Sequence, residues 1–187
     1  MGKSGAGKDR TLRELIKQGF YKIPTVTTRP QRIGEANGKD YIFTNDYVFR
    51  SCIDEGLFAE YRMYNATFGD WWYGSLKSSY LTSTNEDAII LTPGGYTAVK
   101  SFLDKNNVKP IVFMICANYD VRRQRLEQRG DHPDEIIRRM KEDDIDFACV
   151  DYIPGIHKIW NNGDIQDTVK QIINIVNEVK CDKRDNT

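Results

Sequence analysis

Residues 2–9 read GKSGAGKD, which follows the phosphate-binding pattern GxxxxGK[ST] up to its last position. Glycine at positions 2, 5 and 7 lets backbone N–H groups point into one concavity that no Cβ blocks. Apolar residues at helical spacing over 10–18 predict a helix whose positive end faces the same anion. A glycine-rich turn without a ligand is the alternative. The stretch favours an ATP site made of Gly2, Lys3, Ser4, Gly5, Ala6, Gly7, Lys8 and Asp9.

Two features of this loop depart from the pattern. Asp9 stands where the pattern has Ser or Thr, whose hydroxyl binds Mg²⁺. Because a carboxylate is also a hard oxygen ligand, we predict Asp9 as the Mg²⁺ ligand. Met1 directly precedes Gly2, so no residues remain for a strand ahead of the loop. Either the sequence is an N-terminally truncated form, or the first end of the loop has no anchor.

Apolar runs and helical patterns alternate along the rest of the chain. Helices are predicted at 10–18, 98–103, 120–128, 134–147 and 165–179. Strands are predicted at 22–28, 41–43, 58–64, 87–91, 108–116 and 157–160. This order predicts an α/β fold with a P-loop-type parallel sheet flanked by helices, and with a small inserted β-rich region.

The composition bounds the class of protein. The 187 residues are 40% hydrophobic and 29% charged, which is ordinary for one soluble domain. Lys+Arg and Asp+Glu each number 27, so no overall charge favours a nucleic acid or a membrane as partner. The apolar stretches are too short to cross a bilayer, and the four cysteines include no CxxC pair. We expect a cytoplasmic protein, monomer or homodimer, whose partners are small-molecule nucleotides.

A second phosphate site is indicated by residues 27–43, TTRPQRIGEANGKDYIF. Arg29 and Arg32 offer two planar guanidinium groups to one phosphate, and an exposed turn with two arginines is the alternative. The string resembles the guanylate kinase pattern TTRxxRxGExxGxDYxF at each fixed position. The resemblance implies that Arg29, Arg32 and the Tyr41 hydroxyl hold the phosphate of the acceptor nucleotide, GMP.

Further matches concern the base of that nucleotide. GLFAEY (56–61) resembles the family strand that ends in a glutamate reading guanine, here Glu60. A carboxylate accepts from both N1–H and the exocyclic amine of guanine. WYGS (72–75) resembles YYG[ST], which implies that Tyr73 grips the phosphate and Ser75 contacts the base. Thr25 takes the place of a hydroxyl that helps to bind the base.

The segments RRQRLEQRG (122–130) and EIIRRM (135–140) resemble the family's arginine-rich lid. The resemblance implies that Arg125, Arg129 and Arg139 close on ATP and the transferring phosphoryl group. Arginines in such a lid neutralise charge on the phosphoryl oxygens. Together with Lys8 and Arg32 they are the expected catalytic residues.

For the other basic residues of the lid we expect a solvated helix face paired with acidic side chains. These residues are Arg122, Arg123 and Arg138. Asn162 sits where a family asparagine contacts adenine, with the register uncertain by one because Asn161 precedes it.

The resemblance implies one guanylate kinase-like domain. Its core would comprise residues 1–28 and 86–180, with a GMP-binding insertion at about 29–85, a lid at about 125–145 and a disordered tail at 181–187. In the run IILTPGG, Thr92 and Gly94 stand where the family strand has two acids. We expect this difference to alter metal placement or base preference.

The implied function is ATP-dependent phosphorylation of GMP or dGMP to GDP or dGDP, in purine nucleotide metabolism, with Mg²⁺. Two alternatives stay open: a non-catalytic guanylate kinase-like binding module, and a kinase for a different nucleoside monophosphate. The retained Gly7 and Lys8 favour the enzyme over the binding module.

Overall fold

The structure, a computed structural model, describes residues 1–66, 69–84 and 86–184. Its helices are α1 (Lys8–Lys17), α2 (Asp46–Asp54), α3 (Lys77–Leu81), α4 (Pro93–Lys105), α5 (Tyr119–Gln128), α6 (Pro133–Asp146) and α7 (Ile165–Arg184). Its strands are β1 (Tyr21–Lys22), β2 (Thr25–Thr27), β3 (Tyr41–Phe43), β4 (Phe58–Ala66), β5 (Gly69–Leu76), β6 (Asp87–Ala88), β7 (Phe113–Cys116) and β8 (His157–Trp160). Within the described residues, none of the helices has the length and apolarity needed to cross a bilayer.

The chain forms two compact units. The first contains residues 1–18 and the chain from Pro110 onward. Its strands β7 and β8 pair in parallel, and α1 packs against α7. Leu12 and Leu15 on α1, and Val169 and Ile172 on α7, are buried at helical spacing. This amphipathic pattern on both helices provides the apolar core of the unit.

The second unit, residues 19–109, is built around a four-stranded sheet in the order β3-β2-β5-β4. β2 runs parallel to β3 and antiparallel to β5, which pairs antiparallel with β4. β1 and β6 form a separate short parallel pair. Phe49 stacks on Phe58 with ring centroids 4.4 Å apart, and both pack with Val26 in a buried cluster.

The predicted α/β class is confirmed, whereas several element boundaries differ. The strand predicted over 22–28 is split into β1 and β2, because Pro24 lies between them and lacks the N–H that a continuous ladder needs. α4 begins at Pro93, earlier than predicted. The Thr92 hydroxyl accepts from the Gly95 N–H at 3.1 Å, and so caps this helix.

Helix α7 is longer than predicted and runs to Arg184. The tail expected to be disordered from residue 181 is therefore helical as far as 184, and residues 185–187 lie outside the described part of the chain. Buried Val169, Ile172 and Val176 continue the apolar face along this helix. The division into core, GMP-binding insertion and lid was implied by the family resemblance, and it stays a prediction.

Candidate active site

The glycine-rich loop is fixed at its first end by strand β7. The backbone nitrogen of Met1 donates to Phe113 O at 2.7 Å, and the Ile115 N–H donates to Met1 O at 2.9 Å. This is the alternation of bonds by which one parallel strand pairs with another. The expectation that the first end of the loop has no anchor is wrong, because Met1 pairs with β7.

At two positions of the loop, neighbouring atoms leave no room for a side chain larger than that of glycine. A Cβ on Gly5 would lie 2.5 Å from Arg122 O, and a Cβ on Gly7 would lie 2.4 Å from Asn161 Nδ2. Both glycines have positive φ, +75° and +95°, which other residues adopt only at a cost. The backbone therefore turns tightly into α1 and leaves its first N–H groups at the mouth of the loop.

Lys8 is the first residue of α1, and its side chain turns back to the glycine-rich loop. Its Nζ donates to Lys3 O at 3.1 Å. Burial lowers the pKa of the Lys8 ammonium, and the carboxylates of Asp9 and Asp143 oppose that shift. An ammonium group that is bonded to one loop carbonyl and lies near two acids is a mobile point charge that a phosphate can attract.

The side chain predicted to bind Mg²⁺, Asp9, is exposed at the start of α1. Within residues 1–66, 69–84 and 86–184, no group of three or more acidic, histidine or cysteine side chains forms a metal cage. Mg²⁺ is usually held by one or two carboxylates together with substrate phosphates. A single carboxylate beside a phosphate loop fits that arrangement.

Helix α6 holds the other side of the loop. Asp143 Oδ2 accepts from the Ser4 N–H at 2.7 Å, and Lys3 Nζ lies 2.6 Å from Asp144 Oδ1. Arg122 Nη1 lies 3.4 Å from both Ser4 O and Asp143 Oδ2. Burial raises the pKa of Asp143, while the hydrogen bond from the Ser4 N–H opposes that rise. Side chains from α5 and α6 thus set the conformation of the glycine-rich loop.

The solvated role expected for Arg122 is wrong. Its side chain is buried, at 5% exposure. Arg123 and Arg138 were expected to form pairs with acids on the helix surface, and they do so with Glu127 and Glu135 respectively. The sequence pattern RRQR does not show that Arg122 is buried and Arg123 exposed, since the packing of α5 against the loop decides which side chain points inward.

The three arginines predicted for the lid lie in the same unit as the loop. Arg125 Nη2 donates to Asn161 O at 2.9 Å. Arg129 forms an ion pair with Asp131, and Arg139 lies 3.6 Å from the same carboxylate. These arginines are therefore held by local carbonyl and carboxylate groups that a phosphate can replace as partner.

The two neighbouring asparagines have different surroundings. Asn161 is 3% exposed, and its Nδ2 donates to Ala6 O at 2.8 Å, so it supports the loop. Asn162 is exposed, and its Oδ1 accepts from the Asn118 N–H at 2.9 Å. Of the two, Asn162 is the one accessible to a base.

In the second unit, Arg29 and Arg32 are held differently. Arg29 is 4% exposed, and its Nη2 lies 2.7 and 2.9 Å from the two carboxylate oxygens of Glu35. Glu35 also accepts from the backbone N–H of Arg32 at 2.8 Å. The Arg32 side chain is exposed. Glu35 thus folds the turn so that one arginine is fixed and the other faces solvent.

The sheet brings together several of the residues predicted to bind GMP. β2 pairs with β3 so that Thr25 lies opposite Tyr41. Tyr73 meets Tyr41 edge to face, with ring centroids 6.0 Å apart. The guanidinium of Arg29 lies 5.4 Å from the centre of the Tyr41 ring. Arg29, Tyr41 and Tyr73 therefore form one cluster.

Glu60 and Ser75 face each other across β4 and β5. Ser75 Oγ donates to Glu60 Oε1 at 2.7 Å. Burial raises the pKa of Glu60, and the hydrogen bonds from Ser75 oppose that rise. We expected Ser75 to contact a base directly; in the structure it is 0% exposed and its hydroxyl bonds Glu60.

The loop that leads from a pairing with parallel strand β7 into the N-terminus of α1 defines a P-loop-type α/β protein. The sequence model of the Guanylate kinase family matches residues 1–179, and the chain belongs to that family. The predicted family and the prediction of a phosphotransferase enzyme are thereby confirmed.

Individual relatives agree with this assignment. The guanylate kinase of Caldanaerobacter subterraneus subsp. tengcongensis is 28% identical over 183 residues, which are 96% of this chain and 85% of that protein. The guanylate kinase of Rickettsia typhi is 27% identical over 177 residues, 92% of this chain and 86% of that protein. The crystal structure of guanylate kinase from Anaplasma phagocytophilum shares the fold, with a TM-score of 0.66 at 18% identity, over 95% of this chain and 82% of that one.

Proposed function

We propose that this enzyme transfers the γ-phosphoryl group of ATP to GMP or dGMP and so produces ADP and GDP or dGDP. The observation that carries the proposal is the partly buried carboxylate of Glu60, held at 2.7 Å by Ser75. An acceptor-only group in this position suits the N1–H and amine donors of guanine, whereas adenine offers an acceptor at N1. Family membership supports the same reaction.

The ATP site of the proposal is the glycine-rich loop and its surroundings. The loop amides and Lys8 bind the phosphates, and Asp9 binds Mg²⁺, which neutralises charge on the phosphate oxygens. Arg125, Arg129 and Arg139 exchange their present partners for the transferring group. Asn162 contacts the adenine.

The acceptor site of the proposal is the cluster on the four-stranded sheet. Arg29, Arg32, Tyr41 and Tyr73 hold the phosphate of GMP, while Thr25 and Glu60 bind its base, with Ser75 acting through Glu60. Transfer needs no covalent intermediate, because alignment and neutralisation of charge are sufficient for phosphoryl transfer. We propose that the reaction serves purine nucleotide metabolism in the cytoplasm.

The test is an assay that couples ADP release to a dye, with ATP, Mg²⁺ and each monophosphate in turn. We expect GMP and dGMP to be preferred over AMP, CMP and UMP. Glu60→Gln should reduce that discrimination by about 1–3 kcal/mol, because a buried polar group is then mismatched with the base. Glu55→Gln, at an exposed site in the same unit, is the matched control.

Two outcomes would overturn the proposal. Comparable turnover of another monophosphate would indicate a kinase of different specificity. If no monophosphate stimulates ADP release while nucleotides or peptides still bind, the chain is a non-catalytic binding module.

A further inference from the structure

Tyr80 lies directly behind the pair formed by Ser75 and Glu60. It is on the short helix α3, is 5% exposed, and packs in a buried cluster with Val99 and Leu103 of α4. Its hydroxyl is 2.9 Å from Ser75 Oγ. No sequence pattern identifies this residue, because its position relative to Glu60 arises from the pairing of β4 with β5.

The direction of the two hydrogen bonds follows from counting protons. An ionised carboxylate only accepts, so the single hydroxyl proton of Ser75 goes to Glu60 Oε1. Ser75 Oγ then has only lone pairs to offer to Tyr80, and Tyr80 must be the donor. The chain of donation therefore runs from Tyr80 through Ser75 to Glu60.

This chain fixes what each group can offer to a ligand. The Ser75 proton is committed to the carboxylate, and the serine side chain is fully buried. Burial raises the pKa of Tyr80 to about 12, so its hydroxyl remains a donor throughout the neutral range. A hydrogen bond received by Ser75 strengthens the one that Ser75 donates. The two hydrogen bonds thus hold Glu60 Oε1 in one orientation, in a side chain that is only partly buried.

We propose that Tyr80 is a positioning residue for base selection, which orients the Ser75 hydroxyl and thereby holds Glu60 as an acceptor for guanine. The inference rests on the proposed function, since it concerns the base of the acceptor nucleotide. Tyr80 does not touch the substrate. Its hydroxyl acts through two hydrogen bonds, while its ring fills the core.

The test is Tyr80→Phe, which removes the hydroxyl and keeps the ring in place. We expect the KM for GMP to rise by about 3- to 10-fold, the equivalent of one neutral hydrogen bond. The kcat at saturating GMP and the KM for ATP should stay within about twofold, because the phosphate sites are unchanged. The preference for GMP over IMP, which lacks the exocyclic amine, should fall.

The matched control is Tyr96→Phe. Tyr96 packs against the same buried cluster as Tyr80, so its substitution reports any general effect of losing a hydroxyl near this core. We expect Tyr96→Phe to leave the KM for GMP and the preference over IMP unchanged.

A double-mutant cycle separates positioning from a structural role. If Tyr80 acts through Ser75, then Tyr80→Phe should have no further effect on the KM for GMP in a Ser75→Ala background. Additive effects would overturn the inference. So would a Tyr80→Phe enzyme with unchanged GMP parameters, or one in which kcat and both KM values shift together with a lower Tm. A wild-type enzyme that does not prefer GMP over AMP would instead overturn the proposed function.

Discussion

The carboxylate of Asp143 accepts the backbone N–H of Ser4 at 2.7 Å, which joins helix α6 to the glycine-rich loop. Burial raises the pKa of this carboxyl group, and the hydrogen bond from the Ser4 N–H takes the place of water as its partner. Asp144, the next residue, is 67% exposed and contacts Lys3 instead. Two adjacent acids on α6 therefore contact the loop in different ways, one through a backbone bond and one through a surface ion pair.

We expect Asp143→Ala to weaken ATP binding by about 5- to 150-fold, because an unpaired N–H group costs about 1–3 kcal/mol. Asp144→Ala should change ATP affinity by less than about fivefold, since exposed ion pairs contribute about 0–1 kcal/mol. Titration calorimetry with ATP measures both. Equal effects of the two substitutions would show that the bond to Ser4 does not order the loop.

Gly5→Ala should destabilise the protein and weaken ATP binding. The new Cβ would lie 2.5 Å from Arg122 O, in addition to the cost of positive φ. The control is Gly155→Ala, where φ is +67° and no atom lies within 4 Å of the added Cβ. Gly155→Ala should lower Tm and leave ATP affinity unchanged. Thermal melts and ATP titration of both variants check this, and normal ATP affinity in Gly5→Ala would contradict the need for glycine at this position.

Arg29→Lys and Arg32→Lys should differ although the charge is kept in both. Lysine cannot replace the two-oxygen contact of Arg29 with Glu35, so Arg29→Lys should lower the free energy of unfolding by about 1.5–3 kcal/mol and raise the KM for GMP. The exposed Arg32 side chain makes no such contact with Glu35, and Arg32→Lys should raise the KM for GMP by about tenfold with normal stability. The KM for ATP should change little in both. A parallel rise of both KM values would show that these arginines are not a dedicated acceptor site.

The stability that Glu135 contributes should depend on pH. Hydrogen bonds from Arg138 and Arg139 lower the pKa of Glu135 to about 2, below its ordinary 4.5. Because the folded-state pKa is depressed, the stabilisation is present above about pH 4.5 and is lost as the pH falls towards about 2.

Urea unfolding of wild type and Glu135→Gln between about pH 3 and pH 7 measures this contribution. We expect a difference in unfolding free energy of about 1–2 kcal/mol at pH 7 that narrows below about pH 4.5. Glu127→Gln, which removes the partner of exposed Arg123, should show a smaller difference. If the difference in unfolding free energy between wild type and Glu135→Gln is the same at every pH, the charge of the Glu135 carboxylate does not cause the stabilisation.

The parts of the site that the sequence predicted are those carried by local patterns. Lys8 follows three glycines in a short string, and Arg29 belongs to a contiguous stretch that resembles one family. Arg122, Asp143 and Tyr80 could not be found in this way. Each contacts the site through a partner distant in the sequence or on another element, and its direction depends on packing.

The same limit applies to the fold. The alternation of strands and helices identified the α/β class, but the ends of strands and helices depend on single residues such as Pro24 and Thr92. Proline removes one hydrogen bond from a ladder, and a capping hydroxyl starts a helix. Such effects move a boundary by several residues without changing the hydrophobic pattern.

Because Tyr80 is buried among core side chains, the evolution of base specificity in this protein can involve residues of the core. Val99 is fully buried in the same cluster and is far from any predicted site residue in the sequence. A change of volume at Val99 would tilt the Tyr80 ring and so displace the hydroxyl on which the orientation of Glu60 depends. Selection for a new nucleobase could therefore act on Val99, an apolar residue in the interior. The effect of a Val99 substitution on base preference would depend on whether residue 80 is tyrosine.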